Sequence, residues 1–174
     1  MESNKDNNST YTTEEKLNKY NTIKSNLEKF YKKYDKEPRK LSLTAKMATV
    51  SAALKREFDD LKFVGFYVVE QNKKEYLEIG PYVSDIIATP IIDFGKGVCG
   101  SSYSEKKTLI ENDISVCNNY IACDEETKSE IVLPIFSKKN NDEVIAVWDI
   151  DSIVLNRFDV VDQENIMFII NNYL

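Results

Sequence analysis

The chain has 174 residues, with 23 basic side chains, 29 acidic side chains and no histidine. This length suits one domain with a substantial core. The net charge of −6 argues against a nucleic-acid partner, because binding to a phosphate backbone needs a basic surface. The absence of histidine excludes Cys-His and Ser-His catalysis and most histidine-containing zinc sites.

No apolar run approaches the roughly 20 residues that a membrane helix needs. The polar start of the chain lacks the apolar segment of a secretion signal, so we expect a cytoplasmic protein that does not associate with membranes. In a reducing compartment, Cys99, Cys117 and Cys123 are expected to be free thiols that either pack or carry redox chemistry. Because there is no Cys-X-X-Cys spacing and no histidine, we predict no metal site.

The first predicted elements are helical. Residues 1–12 are polar and predict a disordered tail. Thr12 and Glu15 have the spacing of a capping box. They open an amphipathic helix whose predicted apolar face contains Leu17, Tyr20, Ile23, Leu27 and Phe30. Pro38 ends that segment, and a second helix follows with an apolar stripe of Met47, Val50, Leu54 and Phe58.

The pattern then changes to short β-type segments. Strands are predicted at 63–70, 75–80, 86–94, 108–110, 130–136 and 144–151, with helices at 98–105 and 160–173. The long polar segment 111–128 is typical of a functional loop. This order predicts an α+β fold, with one domain over residues 13–174 and helices stacked on one side of an antiparallel sheet.

A glycine-rich segment, Gly95-Lys96-Gly97-Val98-Cys99-Gly100, has the G-X-G-X-X-G spacing of dinucleotide-binding loops. Two predicted strands already precede it and the helix after it is short. A tight strand-to-helix turn, with glycines at positive φ, therefore fits the segment better. Cys99 would then lie in the first helical turn, where the helix dipole favours a thiolate.

Carboxylates surround Cys123 in the segment Ile121-Ala122-Cys123-Asp124-Glu125-Glu126. Asp149 and Asp151 are two residues apart on a predicted strand, so their side chains point to the same face. Glu130 begins another predicted strand. A thiol is a nucleophile, and clustered carboxylates bind amines or transfer protons. Each feature also has a purely structural interpretation, so none of them assigns a function alone.

Together, these motifs resemble those of one family, the free methionine-(R)-sulfoxide reductases, which are single-domain GAF proteins. The matching segments, in the family's order, are Val64-Gly65-Phe66-Tyr67, Gly95-Lys96-Gly97-Val98-Cys99-Gly100, Ile121-Ala122-Cys123-Asp124, Ser129-Glu130-Ile131-Val132-Leu133-Pro134 and Val147-Trp148-Asp149-Ile150-Asp151-Ser152. The resemblance covers nearly the whole chain from about Leu41. It implies a GAF domain with a central antiparallel sheet flanked by helices, and an assembly that is often a homodimer.

The resemblance also implies a role for each matched residue. Cys123 corresponds to the attacking thiolate, and Cys99 looks like its resolving partner. The residues that bind substrate or line its pocket are Glu130, Asp149, Asp151, Phe63 and Tyr67. In the implied cycle the thiolate attacks the sulfoxide sulfur, methionine leaves, and the resulting sulfenic acid condenses with a second thiol. Thioredoxin then reduces the disulfide, and no bound cofactor takes part.

The chain departs from the family's pattern at three positions. Thr89 stands where the family often has a third cysteine, which shifts the resolving step to Cys99 or Cys117. Phe63 stands in place of a tryptophan, and Tyr120 in place of a frequent histidine. Two other functions stay open at this point: a non-catalytic GAF sensor for a small ligand, and an inactive enzyme retained as an interaction protein.

Overall fold

The computed structural model describes residues 10–70, 75–117 and 125–174. Most of the expected polar tail lies outside these ranges. Tyr11, which was assigned to that tail, instead packs edge-on against Phe58, with 5.5 Å between the ring centroids. An aromatic ring that packs on an apolar neighbour thus attaches the last residues of the expected tail to the domain.

The described residues form four α-helices and six strands. Their order is α1 (Thr13–Tyr34), α2 (Leu43–Glu57), β1 (Leu61–Val69), β2 (Tyr76–Ser84), β3 (Ile91–Asp93), α3 (Gly97–Glu105), β4 (Leu109–Glu111), β5 (Ser129–Phe136), β6 (Val144–Ser152) and α4 (Val160–Tyr173). A short 3-10 helix spans Ile114–Val116. The strands form one antiparallel sheet in the order β3-β2-β1-β6-β5-β4, which confirms the predicted α+β class.

Helix α1 begins at the predicted capping box, in which the side chains of Thr12 and Glu15 satisfy each other's backbone N–H groups. Its buried face is rotated from the predicted one and contains Lys16, Tyr20, Ile23, Leu27 and Tyr31. Leu17 is exposed, so that predicted core position is wrong, whereas Phe30 is half-buried and packs against the core. Lys16 takes the inner position because three oxygen acceptors lie around its ammonium group.

The predicted strand at 86–94 is wrong over most of its length, because only Ile91–Asp93 pair with β2. Pro90 has no N–H to contribute to a ladder, and its carbonyl accepts a bond from Ile79 N at 3.0 Å. Ile87 is 92% exposed. An apolar run alone does not distinguish a strand from an irregular segment.

The sheet has a different layer on each face. Helices α1, α2 and α4 cover one face, and their core includes Val64, Phe66 and Trp148. Helix α3 lies on the other face, against a smaller cluster that includes Phe63, Tyr67 and Cys99. The prediction that the helices stack on one side is therefore wrong for α3. Within the described ranges, no helix is both long and apolar enough to cross a membrane.

Candidate active site

The strand register brings three carboxylates together. Asp149 and Asp151 point to the same face of β6, and Glu130 on β5 lies directly opposite Asp151. All three side chains are buried, with 3–4% of each residue exposed. On β1, Gly65 lies opposite Asp149 and Phe63 lies opposite Asp151, and Phe63 belongs to the cluster on the face that α3 covers. The two strands thus hold three acids within one small region of the sheet.

Aromatic side chains form the wall beside these acids. The rings of Phe63 and Tyr67 stack with centroids 6.2 Å apart, and Phe63 also stacks on Tyr82 at 5.5 Å. Gly65 makes this possible, because a Cβ there would lie 2.6 Å from the Phe63 ring and 2.3 Å from Tyr82 Cβ. Phe63 and Tyr67 therefore lie in the cluster on the face that α3 covers, and their contact with substrate stays a prediction. Tyr82 was missed, although its position across from Gly65 follows from the β1–β2 pairing.

The glycine-rich segment forms the expected strand-to-helix turn. Gly95 and Gly97 have φ angles of +76° and +61°, which favour glycine. A Cβ on Gly100 would lie 2.4 Å from the carbonyl oxygen of Asp93, so the turn packs directly on β3. This arrangement places Cys99 in the first turn of α3 and points its side chain into the buried cluster.

The Cys99 thiol lies beside two of the three acids. Its Sγ donates to Glu130 Oε1 at 3.9 Å. Cys99, Glu130 and Asp149 each contribute one atom to a set that lies within 4.8 Å of one another, which is close enough to hold a cation. The sequence predicted no metal site because no local spacing encodes one; this set comes from three separate elements.

Burial controls the protonation of this cluster. It raises the pKa of Asp149 to about 7, while hydrogen bonds with Cys99 and Glu130 act in the opposite direction. Burial, followed by the charges of Asp149, Glu130 and Asp151, raises the pKa of Cys99 well above its usual value. The expectation that the helix dipole makes Cys99 a thiolate is therefore wrong, because desolvation and three nearby acids outweigh it.

The two acid-bearing strands are anchored at their ends by buried serines. Ser129 Oγ donates to Val154 O at 2.6 Å, and Ser152 Oγ donates to Asp60 O at 2.9 Å. Ser129 immediately precedes Glu130, and Ser152 immediately follows Asp151. Both serines stand in the motifs quoted above, but sequence reasoning gave them no role. The available signal was a hydroxyl residue beside an acid at a predicted strand end, since such a hydroxyl needs a partner once it is buried.

The chain on either side of residues 118–124 is attached to the sheet. Ile114 N donates to Lys128 O at 3.0 Å, and Lys128 N donates to Ser152 O at 2.8 Å. Glu126 also forms an ion pair with Lys62 of β1. Cys123 and Tyr120 lie outside the described residues, and Cys123 is the one predicted site residue that the structure does not describe.

The two remaining positions of interest are Thr89 and Cys117. Thr89 lies in the irregular segment between β2 and β3, so its predicted place on a strand is wrong. Cys117 is half-buried at the end of the 3-10 helix, and it packs against the cluster that contains Cys99. The fold thus places two of the three cysteines against one cluster.

No protein-family model matches the chain, but individual proteins do. The free methionine-R-sulfoxide reductase of Saccharomyces cerevisiae is 44% identical over 105 residues, which are 60% of this chain and 57% of the yeast protein. The Escherichia coli protein of the same name is 36% identical over 125 residues, or 72% of each chain.

Solved structures of similar proteins point to the same family. The Staphylococcus aureus free methionine-R-sulfoxide reductase, in complex with its substrate, is 36% identical and has a TM-score of 0.73, covering 87% of this chain and 91% of that one. A solved GAF domain has a TM-score of 0.76 at 30% identity, covering 94% and 97%. The fold is therefore that of a GAF domain. The chain belongs to the free methionine-R-sulfoxide reductase family.

Proposed function

We propose that this protein reduces free methionine-(R)-sulfoxide to methionine, with Cys123 as the attacking thiolate. The observation that carries the proposal is the buried group of Glu130, Asp149 and Asp151 around the Cys99 thiol. This group occurs in a chain whose relatives are named for that activity.

Three buried acids suit a cationic ligand. A free amino acid carries an ammonium group, which a peptide-bound methionine lacks. Each charge-assisted hydrogen bond from the ammonium to a carboxylate contributes on the order of 2–3 kcal/mol. The site therefore selects the free amino acid by charge, while Phe63 and Tyr67 offer an apolar wall to its methyl-sulfoxide end.

The chemical step transfers oxygen from substrate to thiol. The Cys123 thiolate attacks the sulfoxide sulfur to form an S–S bond, and the sulfoxide oxygen takes up a proton. This oxygen, as a hydroxyl group, then moves to the Cys123 sulfur, while its bond to the substrate sulfur and the S–S bond both break. Methionine leaves, and Cys123 is left as a sulfenic acid. We assign the proton to Asp149, because it lies within the set formed with Cys99 and Glu130 and its pKa, raised to about 7, keeps a proton available near neutral pH.

A second thiol completes the cycle. It condenses with the sulfenic acid, water is released, and an external dithiol reduces the disulfide. The family resemblance gives this second thiol as Cys99 and the reductant as thioredoxin. We propose a cytoplasmic setting, where thioredoxin is available and thiols stay reduced.

Single-turnover release of methionine, without any reductant, tests the charge argument. We expect about one methionine per protein from free methionine-(R)-sulfoxide. We expect none from its N-acetyl derivative, whose nitrogen carries no charge. Equal rates with both compounds would refute the role of the acids. Tight binding of the free sulfoxide without methionine release would indicate a ligand sensor instead.

A further inference from the structure

Strand β1 turns from one face of the sheet to the other between Leu61 and Phe63. Residues two apart on a regular strand point to the same face. Leu61, however, packs in the core that α1, α2 and α4 cover, whereas Phe63 packs in the cluster that α3 covers. In the pairing with β6, Leu61 lies opposite Ser152. Phe63 lies opposite Asp151, so two steps along β1 match one step along β6, which is a β-bulge at Lys62.

This bulge decides which side chains share a face with the acids. A regular strand would carry Phe63 onto the same face as Leu61, away from the acids. The bulge instead turns Phe63 to the face of Asp149 and Asp151, directly across from Asp151. β-Bulges are common next to active sites, where they re-aim a side chain. The aromatic wall and the acids therefore lie on one face because of a single extra residue in β1.

A serine of β6 holds the bulge on its N-terminal side. Ser152 is fully buried, and its Oγ donates to Asp60 O at 2.9 Å and accepts from Val154 N at 3.2 Å. Asp60 O also accepts from Ile153 N at 3.1 Å. Asp60 immediately precedes β1. Two donors from the end of β6 thus fix the residue from which β1 starts.

Two further contacts hold the same part of the chain. Ser84 of β2 lies opposite Phe63, and its Oγ donates at 2.9 Å to the carbonyl oxygen of Lys62, the extra residue. Arg157 is fully buried and donates from Nε to Asp60 Oδ2 at 2.6 Å. The bulge is therefore bonded on both sides, and a carbonyl group that the extra residue takes out of the regular ladder has a partner.

We propose that Ser152 is a positioning residue for substrate binding. Its hydrogen bonds with Asp60 and Val154 hold the bulge in β1. The bulge in turn sets Phe63 opposite Asp151. This role rests on the proposed reductase function, in which Asp151 binds the ammonium group and Phe63 lies against the methyl-sulfoxide end. Ser152 follows Asp151 on the strand and points to the other face, so it acts through these two residues.

Steady-state methionine formation by Ser152→Ala tests this role. Loss of the hydroxyl group removes the bonds with Asp60 and Val154 and lets the bulge shift. We expect KM for free methionine-(R)-sulfoxide to rise at least about tenfold with kcat close to wild type, because substrate binding is lost rather than chemistry. A purely structural role would lower the folded fraction of the enzyme, which lowers apparent kcat and leaves KM unchanged. A wild-type KM in Ser152→Ala would therefore overturn the proposal.

Ser51→Ala is the matched control. Ser51 is also fully buried, but it lies on α2. Its Oγ has no hydrogen-bond partner among residues 10–70, 75–117 and 125–174. Its removal should leave KM and kcat at their wild-type values. An equal rise in KM for both variants would show that the loss of any buried hydroxyl group has this effect, and would overturn the specific role of Ser152.

A double-mutant cycle with Asp151→Asn tests whether Ser152 acts through Asp151. Residues that are coupled in this way give non-additive effects. In the Asp151→Asn background we expect Ser152→Ala to raise KM by only about threefold or less. The same factor in both backgrounds would contradict the proposal. If the wild type itself forms no methionine, the proposed reaction is refuted, and with it the role of Ser152.

Discussion

Asp149 is the residue that the fold buries in the acidic cluster and that the proposed reaction uses as its proton donor. Its place on β6 puts it opposite Gly65, within the set that includes Cys99 and Glu130. Burial is the main cause of its raised pKa. A carboxyl group with a pKa near 7 can donate a proton to a bound substrate at neutral pH.

Replacement of Asp149 by asparagine tests its role as a proton donor. Because burial raises the pKa of Asp149 to about 7, its carboxyl group is mostly protonated below that pH and mostly ionised above it. We therefore expect kcat/KM for methionine release to fall as pH rises above about 7. Asp149→Asn should lower kcat by roughly 10²- to 10⁴-fold and abolish that fall.

The pH profile of Asp151→Asn serves as the comparison. It removes a neighbouring acid of the same strand face, so we expect mainly a higher KM and the same fall above pH 7. If Asp149→Asn keeps the wild-type profile, Asp149 is not the proton donor.

Gly100 and Gly95 offer a matched pair of substitutions in one turn. At Gly100 an added Cβ would meet the Asp93 carbonyl at 2.4 Å, so α3 must move away from β3. We expect Gly100→Ala to lower the free energy of unfolding by about 2 kcal/mol or more and to reduce turnover by displacing Cys99.

Gly95→Ala meets only Ser104 Oγ at 3.9 Å, and its cost comes from φ at +76° alone, about 1 kcal/mol. Urea unfolding of both variants measures the difference. Equal stabilities would show that close packing at Gly100 is not what positions α3.

At the scale of elements, a buried group of charges joins α1 to α4 and to the start of β1. Lys16 Nζ donates to Asp162 Oδ2 at 2.5 Å, and Arg157 donates to Asp162 at 2.9 Å and to Asp60 at 2.6 Å. Asp60 O in turn accepts from Ser152, which immediately follows Asp151. The N-terminal helix is thus connected to the end of β6 through hydrogen bonds.

Loss of Lys16 would leave Asp162 buried without its ammonium partner. Breaking a buried pair at one side typically costs about 3–5 kcal/mol. Because Arg157 still pairs with Asp162, we expect Lys16→Met to lower the free energy of unfolding by an amount near the lower end of that range. Lys32→Met is the control, because Lys32 pairs with Glu28 on the exposed face of the same helix, and we expect little change there. Similar unfolding curves for the two variants would contradict this account of α1.

At the scale of the whole molecule, periodicity and spacing predicted much of the architecture. The strand period placed Asp149 and Asp151 on one face, and the last helix lies at the predicted residues, Val160–Tyr173. The convergence of Cys99 with the acids could not be predicted from local pattern, because it depends on how α3 packs across the sheet. Only the family resemblance associated Cys99 with these acids.

The wrong predictions for Leu17 and Cys99 share one physical cause, which is contact between segments that are distant in the sequence. Leu17 was placed inside because apolar spacing cannot anticipate a buried lysine that finds three oxygen acceptors. Cys99 was expected as a thiolate because the helix turn is visible in sequence, whereas the three acids around the sulfur come from distant strands. Long-range electrostatics and burial are set by the tertiary fold.

The central claim is that a Cys123-dependent reduction of free methionine-(R)-sulfoxide takes place in this GAF domain. The most direct measurement is NADPH consumption in a thioredoxin-coupled assay, with wild type and Cys123→Ser compared at equal concentration. We predict steady turnover by the wild type and none by the variant, which should keep the wild-type unfolding curve. Turnover that persists in Cys123→Ser would contradict the account, because the attacking thiol would then be another residue.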